Sequence, residues 1–246
     1  MLVCWEGAFR LGLWQAWQFP APSTLLRALG DMLSVSPAFG GRPLIQAPLV
    51  SLGRLVVGFV VSMVLGGILG VAMWRWGELD RLLGPVFLGL QTLPSVCWVP
   101  LAILVFKINE SGILFVLVMG SFFAIALALR DGLRTIPPIY QQAGLMMGAQ
   151  GWRLYRYVLL PASLPALAGS LRQGFSFAWR SLMGAELMFM VERHGLGFVL
   201  HQGREFVDVA QVVAVMGVMV VIGMAADRWL FASLQQRIGH RFGLEH

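Results

Sequence analysis

Four stretches of this chain carry no charged residue over a membrane-spanning length: Leu55–Trp74, Leu82–Phe106, Ser111–Leu129 and Val209–Ala226. About 20 apolar residues suffice to cross the hydrocarbon core as a helix. A fifth run, Tyr157–Val191, is similarly apolar but interrupted by Arg172, Arg180 and Glu186. None of these runs alternates as the strands of a membrane barrel do. Helices satisfy their own backbone hydrogen bonds, so they are the remaining solution in lipid. Composition agrees: 58% of residues are hydrophobic and only 12% charged, about half the charge of a soluble domain. The chain therefore reads as an all-α, polytopic membrane protein with about six transmembrane helices.

The expected helices run from Met1 to Phe19, Pro48 to Arg75, Asp80 to Phe106, Ser111 to Leu133, Pro161 to Met190 and Phe206 to Gln236. The first is short, ending at Pro20 and Pro22, and no cleavable leader is expected there. Ser23 is placed to cap an amphipathic helix reaching Ser34, and the Gly- and Pro-rich stretch Ser36–Pro48 reads as loop. This divides the chain into an N-terminal external segment, 1–47, and a transmembrane core, 48–246. Gly58, Gly66, Gly67 and Gly70 are expected to let the second helix approach its neighbours closely. Leu93 and Val99, each preceding a proline, should open the third helix.

The net charge of +6 and pI near 10.3 come from basic residues scattered in short loops, an orientation signal rather than a nucleic-acid patch. Nine lie in one set of loops, among them Arg75, Arg134, Arg153 and Arg228; six lie in the other, Arg54 and Arg193 included. The bias places residues 134–160 and the C-terminus in the cytoplasm. Cys4 and Cys97, both in apolar sequence, read as packed thiols. His194 and His201 lack a metal-binding frame and read as surface histidines.

The segment most informative about function is Gln142-Ala143-Gly144-Leu145-Met146-Met147-Gly148-Ala149-Gln150-Gly151-Trp152, followed by Val158-Leu159-Leu160-Pro161. It reads as a short helix, a glycine corner at Gly148, a second short helix over Trp152–Leu159, and a proline opening the next span. Such a hairpin would present Leu145, Met146 and Met147 to a partner. The spacing resembles the cytoplasmic coupling loop of permease subunits of binding-protein-dependent ABC importers. There a Glu-Ala-Ala triplet, three residues and a glycine precede a hydrophobic Leu-Pro end. Ala143, Gly148 and Leu160-Pro161 match, whereas Gln142 stands for the glutamate and Gly144 for the last alanine. In the family the glutamate meets a basic residue of the ATPase. Glutamine keeps a hydrogen bond without charge assistance, at about half the strength.

The segments Leu93-Pro94, Trp98-Val99-Pro100-Leu101, Ile136-Pro137-Pro138, Ala185-Glu186-Leu187 and Gly195-Leu196-Gly197 are similar to the branch handling nitrate, sulfonate, taurine and bicarbonate. That family has a longer first span, so here the first helix is short or the start is clipped. The resemblance implies an inner-membrane importer permease acting as a homodimer in lipid, with two cytoplasmic ATPase subunits and an external substrate-binding protein. It implies that ATP and Mg are held by the ATPase chain and no cofactor by this one. No Gly-x-x-x-x-Gly-Lys-Ser/Thr occurs in the sequence.

Four residues are candidates for the substrate pathway. Arg180, near the middle of the fifth helix, has no acidic residue three or four positions away. A buried charge at that depth costs about 2.5 kcal/mol or more unless paired or wetted, so Arg180 serves either a structural pair or an anion. Glu186 either lines a gate or pairs across helices. Ser95 and Cys97 lie at the break in the third helix, where open backbone lines a cavity or simply kinks the helix. A secondary transporter or channel is the competing class, and it would favour internal repeats and more ionisable groups at mid-membrane. An intramembrane enzyme would need a convergent acid–base or metal set, which the sequence does not suggest.

Overall fold

The structure, a computed structural model, describes residues 2–12, 20–35 and 41–233. Among these the regular elements are helices: α1 (Leu2–Arg10), α2 (Pro22–Leu33), α3 (Pro43–Arg75), α4 (Gly77–Thr92), a 3₁₀ turn (Ser95–Trp98), α5 (Val99–Phe106), α6 (Glu110–Arg134), α7 (Pro138–Met146), α8 (Trp152–Leu154), a π-helical turn (Tyr155–Leu159), α9 (Leu160–Met188), α10 (Leu196–Glu205) and α11 (Val209–Ala226), which continues as a π-helical turn over Asp227–Ala232.

α6 is the axis of the bundle. Asn109 starts it by accepting the Gly112 N–H at 3.1 Å, and 61% of its apolar window is buried inside the protein, against 28% for α3 and 17% for α11. α3 lies against α6 along a stripe of small residues four positions apart. A Cβ on Gly58 would meet Leu117 at 2.6 Å, and one on Gly66 or Gly70 would meet the Phe122 or Ala126 carbonyl at 2.8 or 2.7 Å. Ser62, in the same stripe, accepts the Ser121 hydroxyl at 2.8 Å and donates to the Gly58 carbonyl. Small residues at this spacing let two backbones touch, which is how helices associate where lipid competes with apolar packing. Gly67 is not part of it: nothing lies within 4 Å of its Cβ position. The expected glycine set was one residue too large because Gly67 is about 100° round the helix from Gly66. α9 also packs on α6, burying Ala178, Leu182 and Ala185, with Gly174 against the same Ile125 that Gly66 of α3 meets.

Several boundaries differ from those expected. α3 starts at Pro43, not Pro48, because a proline is best placed in the first helical turn and Pro43 comes first. α2 is preceded by Ala21; Ser23 lies inside the helix and donates its hydroxyl to Glu6 instead of capping. The third expected helix does break at Leu93, which is extended (φ −69°, ψ 125°), and its two parts are bent by 101°. Val99 stays helical (φ −59°, ψ −48°) because Pro100 falls in the first turn of α5, where its missing N–H costs nothing. The segment between the expected fifth and sixth helices holds the helix α10, and Asp208 then starts α11 by accepting the Gln211 N–H at 2.9 Å. Cys4 and Cys97 are exposed rather than packed; in a membrane protein an apolar neighbourhood also describes an outward face. His194 stacks on Phe198 with ring centroids 3.9 Å apart, and His201 is mostly covered.

Three of the described helices, those at Pro43–Arg75, Glu110–Arg134 and Val209–Ala232, are long and apolar enough to cross a membrane, and the bent pair α4–α5 makes a fourth if it counts as one span. α9 has the length, 29 residues, but carries Arg172, Arg180 and Glu186. The expected first span is described only over Leu2–Arg10 and residues 11 and 12; its residues 13–19, like the end of the expected sixth beyond residue 233, lie outside the described residues. α3 and α6 run parallel and α9 antiparallel to them. One end of the bundle therefore gathers Arg54, Glu110 and Glu186; the other gathers the C-terminus of α6, the start of α9 and the α7–α8 hairpin. Near the hairpin end, Asp80 of α4 receives Arg130 at 2.9 Å and Arg134 at 2.7 Å from α6. Arg172 pairs with Asp227 at 2.7 Å, tying α9 to the helix that ends the described chain.

Candidate functional site

The hairpin is built by backbone chemistry. Pro137 is extended and Pro138 opens α7, which ends in a Schellman motif. The Ala149 N–H donates to the Gly144 carbonyl and the Gly148 N–H to the Leu145 carbonyl, both at 3.0 Å. The motif needs a left-handed residue at its C′ position, and Gly148 supplies it with φ +78°. Gly151 (φ +54°) makes a second left-handed step before Trp152 begins the return limb. Gly144 is buried where the limbs meet, and a Cβ there would reach Leu154 at 2.5 Å and Val158 at 3.0 Å. The glycine at this position thus lets the return limb seat directly on α7.

The outcome is an apolar tip held away from the bundle. Met146 is 90% exposed, Met147 77% and Leu145 47%, and Gln142 and Ala143 are exposed beside them. Leu160 and Pro161 sit at the root, half-buried. The expected separate helix over Trp152–Leu159 is instead three residues of α8 followed by the wide turn Tyr155–Leu159, which leads without a break into α9. Pro161 lies in the first turn of α9, where a missing N–H is tolerated. It marks a change of winding, not a corner.

The four pathway candidates separate into two places and one exclusion. Glu186 is 2% exposed and Arg54 7%. Arg54 Nη1 reaches Glu186 Oε1 at 2.7 Å, its Nε and Nη2 hold Glu110 at 2.8 and 2.6 Å, and Nη2 also donates to the Arg193 carbonyl at 2.6 Å. Ser51 donates to both oxygens of Glu186, at 2.9 and 2.7 Å, and accepts the Leu196 N–H at 2.9 Å. The Gly197 N–H completes the set at 3.0 Å from Glu186 Oε2. Glu186 thus lies against the N-terminus of α10, where a carboxylate is favoured. Gly195 and Gly197 have no side chain because the Glu186 side chain and its backbone occupy that space. The sequence segments Ala185-Glu186-Leu187 and Gly195-Leu196-Gly197 are two halves of one fastening between α9, α3, α6 and α10. Arg54, assigned from sequence to a loop, is its centre. The available signal was that a lone arginine and a lone glutamate in apolar helices must each find an opposite charge.

Arg180 and Ser95 come together elsewhere. Both line a cavity of about 310 Å³ between the α4–α5 break, α6 and α9, with Gln91, Thr92, Gly120 and Ser181. Cys97 does not line it. Gly120 is the floor: a Cβ there would run into Ser181 and lie 3.1 Å from Ser95 Cβ. Arg180 donates Nε to the Ser176 carbonyl at 3.1 Å and stacks 4.7 Å above the Phe177 ring. Among the described residues it forms no ion pair.

A bent span beside a three-helix core, with an apolar hairpin at one end, suits a subunit of a membrane transporter. Residues 58–240 match the family described as the inner membrane component of binding-protein-dependent transport systems. The chain belongs to that family. The permease is 29% identical over 191 residues to a putative ABC transporter permease protein of Methanocaldococcus jannaschii, covering 78% of this chain and 71% of that one. It is 25% identical over 238 residues to the taurine transport system permease protein TauC of Escherichia coli, covering 97% and 85%. It is also 25% identical over 190 residues to the bicarbonate transport system permease protein CmpB of Synechocystis, covering 77% and 67%. Its fold is that of the MetNI methionine ABC transporter in an inward-facing form, with TM-score 0.65 and 20% identity over 76% of this chain and 92% of that one. An amino acid ABC transporter crystallised with histidines gives TM-score 0.67 at 14% identity, covering 85% and 98%. The protein is an inner-membrane, multi-pass permease of an ABC importer.

Proposed function

We propose that the permease acts as a homodimer whose hairpin, residues 138–160, is gripped on the cytoplasmic side by an ABC ATPase. The ATPase carries ATP and Mg; this chain transmits the stroke, and an external binding protein delivers a small anion. One observation carries the reading: a hairpin pinned by Gly148 at φ +78° and closed over Gly144 exposes Leu145, Met146 and Met147 together. A contiguous apolar tip of this kind is unfavourable in water unless a partner covers it. The taurine and bicarbonate permeases among its relatives support a small cargo that carries an oxyanion group.

The test is capture of a co-expressed ATPase by the tagged permease. Replacing both Met146→Glu and Met147→Glu is expected to lower ATPase recovery at least about tenfold, since central apolar anchors carry most of an interface's energy. The melting temperature of the permease should not change, because both side chains stand in the open. Undiminished recovery with the double variant would refute docking at this tip. Concentrative uptake without any ATPase would refute the importer reading in favour of a secondary transporter.

A further inference from the structure

The cavity at the α4–α5 break has a feature that the proposed stroke does not explain. Its lining includes one arginine, two serines, a threonine and a glutamine, and no acidic residue. The carboxylate of α9 nearest in sequence to Arg180, Glu186, is turned to Arg54, Ser51 and Gly197. Arg180 itself spends only Nε on the protein; no hydrogen bond is made by its two terminal nitrogens to any described residue. It is exposed to the cavity rather than buried in packing. A guanidinium in this state offers two parallel N–H donors, the geometry that suits an oxyanion.

The neighbouring groups complete such a site. Ser95 and Ser181 both abut Gly120, so their hydroxyls belong to one wall. Thr92 donates to the Gly89 carbonyl, which leaves the Ser95 and Ser181 hydroxyls and the Gln91 amide as the neutral donors. In a straight helix Gln91 and Ser95, four residues apart, would share a face about 40° apart and about 6 Å along the axis; the 101° bend at Leu93-Pro94 opens the space between them, and both line the cavity with Arg180 of α9. A volume of about 310 Å³ is at the small end for ligand clefts. On these grounds we infer that this cavity is a transit site for one small oxyanion, carboxylate-, carbonate- or sulfonate-like, held by Arg180 with Ser95, Ser181 and Gln91. The inference rests on the reading of the cargo as a small anion, and it assigns the contact within the permease itself.

The experiment reads the charge and the site without transport. Ser95→Cys is introduced with Cys4→Ser and Cys97→Ser, the permease is placed in nanodiscs, and the thiol is reacted with an anionic and a cationic methanethiosulfonate. With Arg180 present the anionic reagent should react faster. Arg180→Gln should lower the anionic-to-cationic rate ratio roughly tenfold, as expected for one unscreened charge at close range in a partly wet cavity, and Arg180→Lys should largely restore it. Millimolar ethanesulfonate, but not choline chloride, should slow labelling when Arg180 is present and not when it is glutamine. An unchanged ratio, an unreactive thiol, a changed ratio without ethanesulfonate protection, or loss of folding in both Arg180 variants would each overturn the proposal. ATPase capture does not enter this test, so a failure here leaves the docking result standing, and the reverse holds as well.

Discussion

Arg54→Ala is expected to lower the stability of the permease by about 3–5 kcal/mol, the cost of stranding a buried charge whose partner has been removed. Among the described residues Arg54 is the one cation in contact with Glu186, which is 2% exposed, and it also holds Glu110 and the Arg193 carbonyl. Its loss leaves Glu186 with a serine hydroxyl and one backbone N–H. Thermal unfolding in nanodiscs measures the effect. Glu186→Gln keeps the shape and part of the bonding but leaves the guanidinium facing an amide, so a smaller loss is expected. Combining Arg54→Met with Glu186→Gln should cost less than the sum of the single changes, because the two residues share one contact. A melting temperature unmoved by Arg54→Ala would mean that the fastening contributes nothing to the fold.

Gly66→Leu is expected to prevent accumulation of folded permease, whereas Gly67→Leu, one residue away, is expected to be silent. At Gly66 the first added carbon would lie 2.8 Å from the Phe122 carbonyl and 3.0 Å from Ile125 Cβ, both fixed to the backbone of α6. α3 would have to lift off the central helix along the Gly58–Ser62–Gly66–Gly70 stripe and surrender the Ser62–Ser121 hydrogen bond. Overpacking of this kind costs about 1–3 kcal/mol where side chains can adjust, and more where, as here, the obstacle is main chain. At Gly67 nothing lies within 4 Å. Expression level and monodispersity of the two variants in detergent decide the matter; equal behaviour would show that the stripe is not a close contact.

The large features of the fold were legible because they depend on local sequence. Charge-free runs mark α3, α6 and α11, and Pro94 marks the break that bends α4 from α5 by 101°. The hairpin was legible because a left-handed residue almost demands glycine, and Gly148 is where the spacing places one. What stayed hidden depends on the other side of a contact. Arg54 reads as a loop residue until Glu186, 132 positions on, is brought to it. Gly195 and Gly197 fall between the expected fifth and sixth helices, yet they are bare because a carboxylate occupies the space beside them. Arg180 and Ser95 were both singled out, but their sharing of one cavity follows from the bend, not from either residue's neighbours in the chain. Val99 was misjudged for a simpler reason: a proline one place into a helix starts it as readily as a proline in the middle breaks it.

From Trp152 to Met188 the backbone never leaves a helical path, and Leu160–Met188 alone is 29 residues, about 43 Å of rod. The foot of that rod is the hairpin, and its head is the carboxylate bolted to three other helices. Beyond the Gly148–Gly151 corner, a thrust passed up this rod would meet one more loosely wound segment, the collar at Tyr155–Leu159. On the proposed docking the molecule would work as a lever whose fulcrum and load share a single shaft, and how far the load moves would be set by how stiff those five collar residues are.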